Sequence, residues 1–229
     1  MAEPIRIISS MATRQLLTEL LAAFGRQSPQ PVQLESVGGV DAAKRVQAGE
    51  AFDIVALASD AIDKLIEAGH LAPHSRVDLV RSGVAVAVRA SAPRPDIGSG
   101  EAVRQAVLAA RTLGYSTGPS GVQLARLFER WGIADTIKDR IVQAPPGVPV
   151  GRLVAEGQVE LGFQQLSELM NLPGIEVLGP LPDDIQITTT FSAAVSAACA
   201  RPDAARALLA FMAAPAMDAI KRRNGMEPA

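Results

Sequence analysis

The chain repeats one local pattern: a short apolar run, then a small or hydroxyl residue, then an amphipathic helical stretch. The first instance is Ile5-Arg6-Ile7-Ile8, closed by Ser9-Ser10. From about Ala12 to Phe24, the residues Leu16, Leu17, Leu20, Leu21 and Phe24 recur at helical spacing, and Gly25 is a natural stop. In the second, Val32-Gln33-Leu34 leads through Val37-Gly38-Gly39-Val40-Asp41 to a short helix ending near Gly49. The third, Asp53 to Ala58, is apolar after its first residue, as a strand buried on both faces of a parallel sheet should be. Ser59-Asp60 then opens a helix carrying Ile62, Leu65 and Ile66 towards Gly69. Such alternation predicts an α/β chain, a largely parallel sheet covered by helices.

The second half continues the pattern less regularly. Gly83 to Arg89 reads as a strand, the Pro-, Ser- and Gly-rich stretch Ala90 to Gly100 as a loop, and Glu101 to Arg111 as a helix. Leu113-Gly114-Tyr115-Ser116 precedes the turn Thr117 to Gly121 and a helix marked by Val122, Leu124, Leu127, Phe128 and Trp131. After Ala144-Pro145-Pro146-Gly147 come a helix around Pro149 to Glu156 and the run Val159 to Phe163. Strands are expected around Ile175–Leu178 and Ile185–Ser196, followed by Ala-rich helices from Pro202 to Ala213 and from Pro215 to about Arg223.

Composition narrows the function classes. The formal charge is −2 and the basic residues are scattered, so the basic patch of a nucleic-acid binder is absent. Aromatics make up 3%, too few for a base-stacking surface. No apolar run approaches the roughly 20 residues that span a bilayer, so no membrane insertion is expected. Met1-Ala2-Glu3-Pro4 lacks the regions of a secretory leader; the expectation is a periplasmic protein if a leader was removed, and otherwise a cytoplasmic one. A single cysteine, Cys199, excludes an internal disulfide. His70 and His74 are separated by Pro73, so they do not share a helix face, and no third metal ligand accompanies them. No Gly-x-Ser-x-Gly elbow, phosphate loop or dinucleotide fingerprint occurs, so no cofactor and no metal are expected.

The strand-to-helix junctions are the chemically suggestive feature: Ser9-Ser10, Gly38-Gly39, Ser59, Ser120-Gly121, and Gly147 before Val148. Helix starts offer unpaired N–H groups and a positive dipole end, and small side chains let an anion reach them. In open parallel sheets, ligands sit beyond the carboxyl ends of the strands. The plain alternative is that these residues are helix caps.

The order of Ile7-Ile8-Ser9-Ser10-Met11, the stretch Ala43 to Val55, Gly147-Val148-Pro149-Val150 and Gly162-Phe163-Gln164-Gln165 resembles the substrate-binding proteins of molybdate-type ABC transporters, within the type II periplasmic-binding-protein superfamily. The resemblance implies two lobes, residues 1–82 plus 189–229 and residues 83–188, with an anion held in a cleft between them and an ABC permease as partner. It implies contacts at Ser10, near Gly39, at Ser120, Val148 and Gln165; Ser9, Gly38 and Ser59 join them as neighbouring donors. Arg152, like Arg14, begins a predicted helix and is a candidate partner for a carboxylate.

Two departures bear on the ligand. Gly38-Gly39 stands where the family usually has a serine, and Gln165 where it has a tyrosine. A tetrahedral dianion needs many donors to replace its water, whereas a Gln amide both donates and accepts. The expectation is therefore a monomeric solute-binding protein for a small oxyanion or organic acid, molybdate being one candidate. The alternative is an enzyme resembling aconitate isomerase, which moves a double bond in a tricarboxylate. Asp41, Asp60 and Glu168 are the acidic residues nearest the expected site, and none is marked by sequence as a base.

Overall fold

A computed structural model describes residues 3–145 and 147–229; Met1 and Ala2 of the N-terminal stretch, and Pro146 of the turn before Gly147, lie outside the described residues. The chain divides into two compact units. The first holds residues up to Arg81 together with Thr190–Ala229, and the second holds Ser82–Thr189.

In the first unit, β1 (Ile5–Ser10) lies between β2 (Val32–Val37) and β3 (Ile54–Ala58), parallel to both. The ladders run from Ile5 opposite Val32 to Ser10 opposite Val37, and from Ile7 opposite Ile54 to Ser9 opposite Ala56. Strand β9 (Thr188–Val195) follows β3 in the row, antiparallel to it.

Successive side chains of a strand face opposite sides of the sheet, and both sides here are covered. Ile5, Ile7, Ile54 and Ala56 pack with Leu16, Leu17 and Leu20 of α1 (Arg14–Gly25) and Leu208, Leu209 and Met212 of α9 (Pro202–Ala213). Ile8, Val55 and Leu57 pack on the other side with Ala42 and Val46 of α2 (Gly39–Gln47) and Ile62 and Leu65 of α3 (Ser59–Glu67). A short helix α10 (Asp218–Arg223) and the two-residue β10 (Glu227–Pro228), paired with the start of β4 (Val77–Arg89), finish this unit.

The second unit is built likewise. Strand β5 (Leu113–Ser116) runs parallel to β6 (Ile141–Ala144) and to β7 (Leu161–Gln165). The later part of β4 is antiparallel to β7 and to β8 (Ile175–Pro180). One face carries α4 (Gly100–Ala109) and α5 (Pro119–Arg130), with Val103, Val107, Leu124, Leu127 and Phe128 against Val84, Val86, Leu113 and Phe163. Aromatic rings meet in this core: the Phe128 ring lies 6.2 Å from both the Tyr115 and Phe163 rings, edge on. The opposite face carries α7 (Val150–Ala155), whose Val150 and Val154 sit over Gly162 of β7. A Cβ at Gly162 would come within 2.5 Å of Val154, so the glycine permits the close seat of α7.

Three parts depart from the sequence reading. Strand β4 begins at Val77 rather than Gly83: Leu79 and Val80 are buried in the first unit's core, but polar Asp78 and Arg81-Ser82 on either side break up the apolar run. Strand β6 was not expected: its four residues are mostly half-exposed, and its identity comes from pairing with β5. Two four-residue helices, α6 (Ala134–Ile137) and α8 (Leu166–Leu169), are too short to show a period. The architecture is otherwise the mixed α/β fold that the alternating pattern predicts.

Candidate ligand site at the carboxyl ends of the strands

Because β1, β2 and β3 are parallel, their carboxyl ends share one edge of the sheet, and Ser9-Ser10, Gly38-Gly39 and Ser59 all fall there. The first two junctions are adjacent: a Cβ at Gly39 would lie 3.6 Å from that of Ser10. Ser9 is fully buried, with its hydroxyl 2.8 Å from the Ser36 hydroxyl and 3.2 Å from the Ser10 carbonyl, so it ties β1 to β2. Ser10 is extended and starts a 3-10 turn, Met11–Thr13. Its hydroxyl lies 3.5 Å from that of Thr13, which itself donates to the Ser10 carbonyl at 3.2 Å.

Neither Ser10, Gly38 nor Ala58 caps the helix it introduces with a side chain. Ser59 is the first residue of α3, half-buried, and its hydroxyl forms no hydrogen bond among the described residues. The edge therefore presents the free N–H groups of two nine-residue helices beside a buried serine. Asp41 and Asp60 lie in the first turns of those helices, and Arg14 is exposed at the head of α1.

In the second unit, β5, β6 and β7 are parallel, so Ser120, Val148 and Gln165 follow strand ends on one edge. Ser120 is buried in the first turn of α5, which has no side-chain cap. Gly121 is required there, since a Cβ would sit 1.8 Å from the Ser116 carbonyl oxygen.

Three of the expected contacts in this unit already have protein partners. The Val148 N–H donates to the Pro145 carbonyl at 3.0 Å. Arg152 is exposed and paired with Glu156 at 2.8 Å along one helix face, and that hydrogen bond raises its pKa. Gln165 is buried with its amide between the two segments that cross from unit to unit. In the orientation that satisfies both ends, its oxygen accepts from the Thr189 hydroxyl at 2.9 Å, and its nitrogen donates to the Ser82 and Gly83 carbonyls at 3.0 and 3.2 Å.

Sequence reasoning passed over Gln164 as a site residue. It is buried, and its Oε1 accepts from the Val150 N–H at 2.8 Å at the head of α7. The alternation of β7 held the available signal, since adjacent glutamines on one strand must face opposite sides.

Glu168 keeps some open surface while protein atoms crowd its carboxyl. Burial pushes its pKa up to about 7, opposed by the Gln164 hydrogen bond. The shifted carboxylates Glu19, Glu35, Glu50, Asp78 and Glu101 all move the other way. Cys199, half-buried, donates its thiol hydrogen to Asp53 at 3.2 Å, and its pKa is raised by burial and then by that carboxylate.

Among the described residues no group of three or more His, Cys, Asp or Glu is placed to hold a metal ion, and no helix is long and apolar enough to cross a membrane. A polar hollow of about 310 Å³ beside α5, lined by Gln123, Arg130 and 184–188, contains none of the candidate residues.

The sequence profile of the bacterial extracellular solute-binding proteins matches residues 5–227. The chain belongs to that family. A curated relative, an aconitate isomerase from a Pseudomonas species, is 41% identical over 187 residues, which are 80% of this chain and 70% of the relative. The periplasmic molybdate-binding protein of Azotobacter vinelandii superposes with a TM-score of 0.80 at 20% identity, covering 97% of this chain and 98% of that one. The sulfate-binding protein SubI of Mycobacterium tuberculosis gives 0.81 at 15% identity, covering 99% and 87%. The chain is thus a solute-binding protein with a type II periplasmic-binding-protein-like fold. For such a protein, the uncapped strand ends of each unit are the surface on which to look for the ligand.

Proposed function

We propose that this solute-binding protein captures a small polycarboxylate anion as the soluble component of an ABC-type uptake system. The observation that carries the reading is the set of uncapped helix starts at the parallel strand ends of the first unit: Ser10, Gly38-Gly39 and Ser59. Backbone N–H groups aimed from helix starts replace the hydration of a carboxylate without a buried cation, which would otherwise need its own partner. The missing serine at Gly39 leaves fewer donors than a fully desolvated tetrahedral dianion demands. Arg152 stays with Glu156 in this reading. The name of the 41% identical relative supports a tricarboxylate of the aconitate type over molybdate.

Thermal unfolding with citrate, trans-aconitate, molybdate and sulfate tests it. A ligand that binds only the folded state at 100 times its Kd stabilises by about 2.7 kcal/mol. The tricarboxylates are expected to raise the melting temperature saturably, and Ser10→Ala to weaken that rise. A shift with molybdate or sulfate alone, or with none of the four, overturns the proposal.

A second reading, that the bound acid is also isomerised, has one observation in its favour. The same relative is named for that reaction, and this chain places a carboxyl with a pKa of about 7 next to the strand ends. Conversion of trans-aconitate to the cis isomer, followed by proton NMR in deuterated water, decides it.

A further inference from the structure

The polar hollow of about 310 Å³ beside α5 lies wholly within the second unit, and none of the strand-end junctions lines it. One wall is a face of α5. Gln123 and Arg130 are seven residues apart there, on the same side of the helix and separated by roughly 10 Å along its axis. The other wall is the stretch 184–188, which leads into β9. That stretch is pinned. The Gln186 Oε1 accepts from the Val84 and Ile187 N–H groups at 2.9 Å each, and its Nε2 donates to the Leu181 carbonyl at 3.0 Å. Ile185 and Ile187 pack against the unit's core. Asp184 rests over the start of α4, where a Cβ at Gly100 would come within 2.6 Å of its Oδ2. Arg130 and Asp184 are both exposed, and among the described residues neither side chain is in an ion pair or a hydrogen bond. Other arginines on the surface also lack a partner; Arg130 differs in sharing a walled hollow with an equally unpaired carboxylate.

We propose that this hollow is a second binding site, for a small zwitterion of the α-amino acid class, with its carboxylate on Arg130 and its ammonium on Asp184. The guanidinium fork matches the two oxygens of a carboxylate, and a carboxylate side chain accepts hydrogen bonds from an ammonium group. Each single-sign alternative is opposed by one wall: Asp184 repels a polycarboxylate, and Arg130 repels a metal ion or an amine. The volume lies at the lower end of the about 300–1,000 Å³ usual for small-molecule sites, which suits a ligand of this size. Gln123 and Thr188 add an amide and a hydroxyl for a polar side chain. Because Gln186 already fixes one wall, binding there orders little that is not already ordered.

Trp131, the chain's single tryptophan, directly follows Arg130 and is half-buried, so its fluorescence reports on the hollow. The full chain is titrated with glycine, L-serine and L-glutamine, and with N-acetyl-L-serine and L-serinamide, which carry one charge each. Thermal unfolding is followed alongside. At least one of the three amino acids is expected to change the fluorescence saturably and to raise the melting temperature, while the two blocked compounds do neither. Arg130→Gln and Asp184→Asn are expected to melt as the parent does without ligand, and each to raise the Kd about tenfold through the loss of a charge-assisted hydrogen bond. Ser10→Ala is expected to keep the parental Kd, which separates this site from the strand ends of the first unit. The proposal is overturned by no saturable response to any of the three amino acids, or by an equal response to either blocked compound. A parental Kd in either charge variant, or a response lost in Ser10→Ala, overturns it as well.

Discussion

Burial holds the Glu168 carboxyl at a pKa of about 7, against an ordinary 4.5, so its ionisation works against folding at neutral and alkaline pH. Between those two values the folded chain binds more protons than the unfolded one. The stability that Glu168 contributes is therefore complete below about pH 4.5 and lost as pH rises through 7. Glu168→Gln removes the effect, because an amide does not ionise. Relative to the parent, it is expected to gain stability from pH 4.5 upwards, reach a plateau above 7, and gain at most about 3 kcal/mol. Urea unfolding at pH 4.5 and pH 8 measures this; an unchanged difference between the two would show that the carboxyl ionises freely in the folded chain. Glu35 and Glu50, lowered by hydrogen bonds to Arg45, stabilise in the opposite direction as pH rises, but they are common to both proteins and cancel. None of this was legible in the sequence, where Glu168 is one acidic residue among several. Its environment depends on Gln164 and the packing of α7, which no local pattern encodes. The Gln165 amide is similar: its partners Ser82 and Thr189 are remote in sequence, and only the folded strands bring them to it.

Legibility at the level of elements followed burial and length. Strands β1 and β3 were readable as almost wholly buried apolar runs, and helix α1 because its buried leucines recur at helical spacing over a full run. Strand β6 was not, since half-exposed residues carry no strong alternation and its place is assigned by its neighbour β5. The strand-to-helix corners were visible as small residues, but not the reason each must be small. Gly121 gives that reason for one of them. The α5 backbone presses so closely on the Ser116 carbonyl that an added methyl overlaps it at 1.8 Å, and a backbone oxygen cannot rotate away. Gly121→Ala must therefore lift the first turn of α5, which carries Ser120, off β5. The expected cost is about 1–3 kcal/mol, as for other overpacked sites, together with weaker ligand-induced stabilisation. Denaturant unfolding and the thermal-shift assay read the two effects separately. Wild-type stability in the variant would mean that the helix start is free to move, and that its amides are not preorganised.

At the scale of the molecule, the chain path makes the two units unequal. The second is a continuous insertion, Ser82–Thr189, whose core joins residues of β4, α4, β5, α5 and β7 without help from the first. The first is discontinuous. Its main core unites Ile5, Leu16 and Ile54 with Phe191, Val195, Leu208, Leu209 and Met226, and β9 from the late segment completes the sheet beside β3. Without the late segment, one side of that sheet loses α9 and β3 loses its antiparallel neighbour, leaving apolar surface exposed that no other element covers. A fragment of residues 82–189 is accordingly expected to fold alone, with a cooperative thermal transition followed by circular dichroism. A fragment ending at residue 81 is expected to lack one, and to regain it when residues 190–229 are rejoined through a short flexible linker. The linker adds little cost because closure entropy grows only slowly with loop length. Cooperative folding of the first 81 residues by themselves would mean that α2 and α3 supply most of this unit's stability, and that the α1–α9 side of the sheet is secondary.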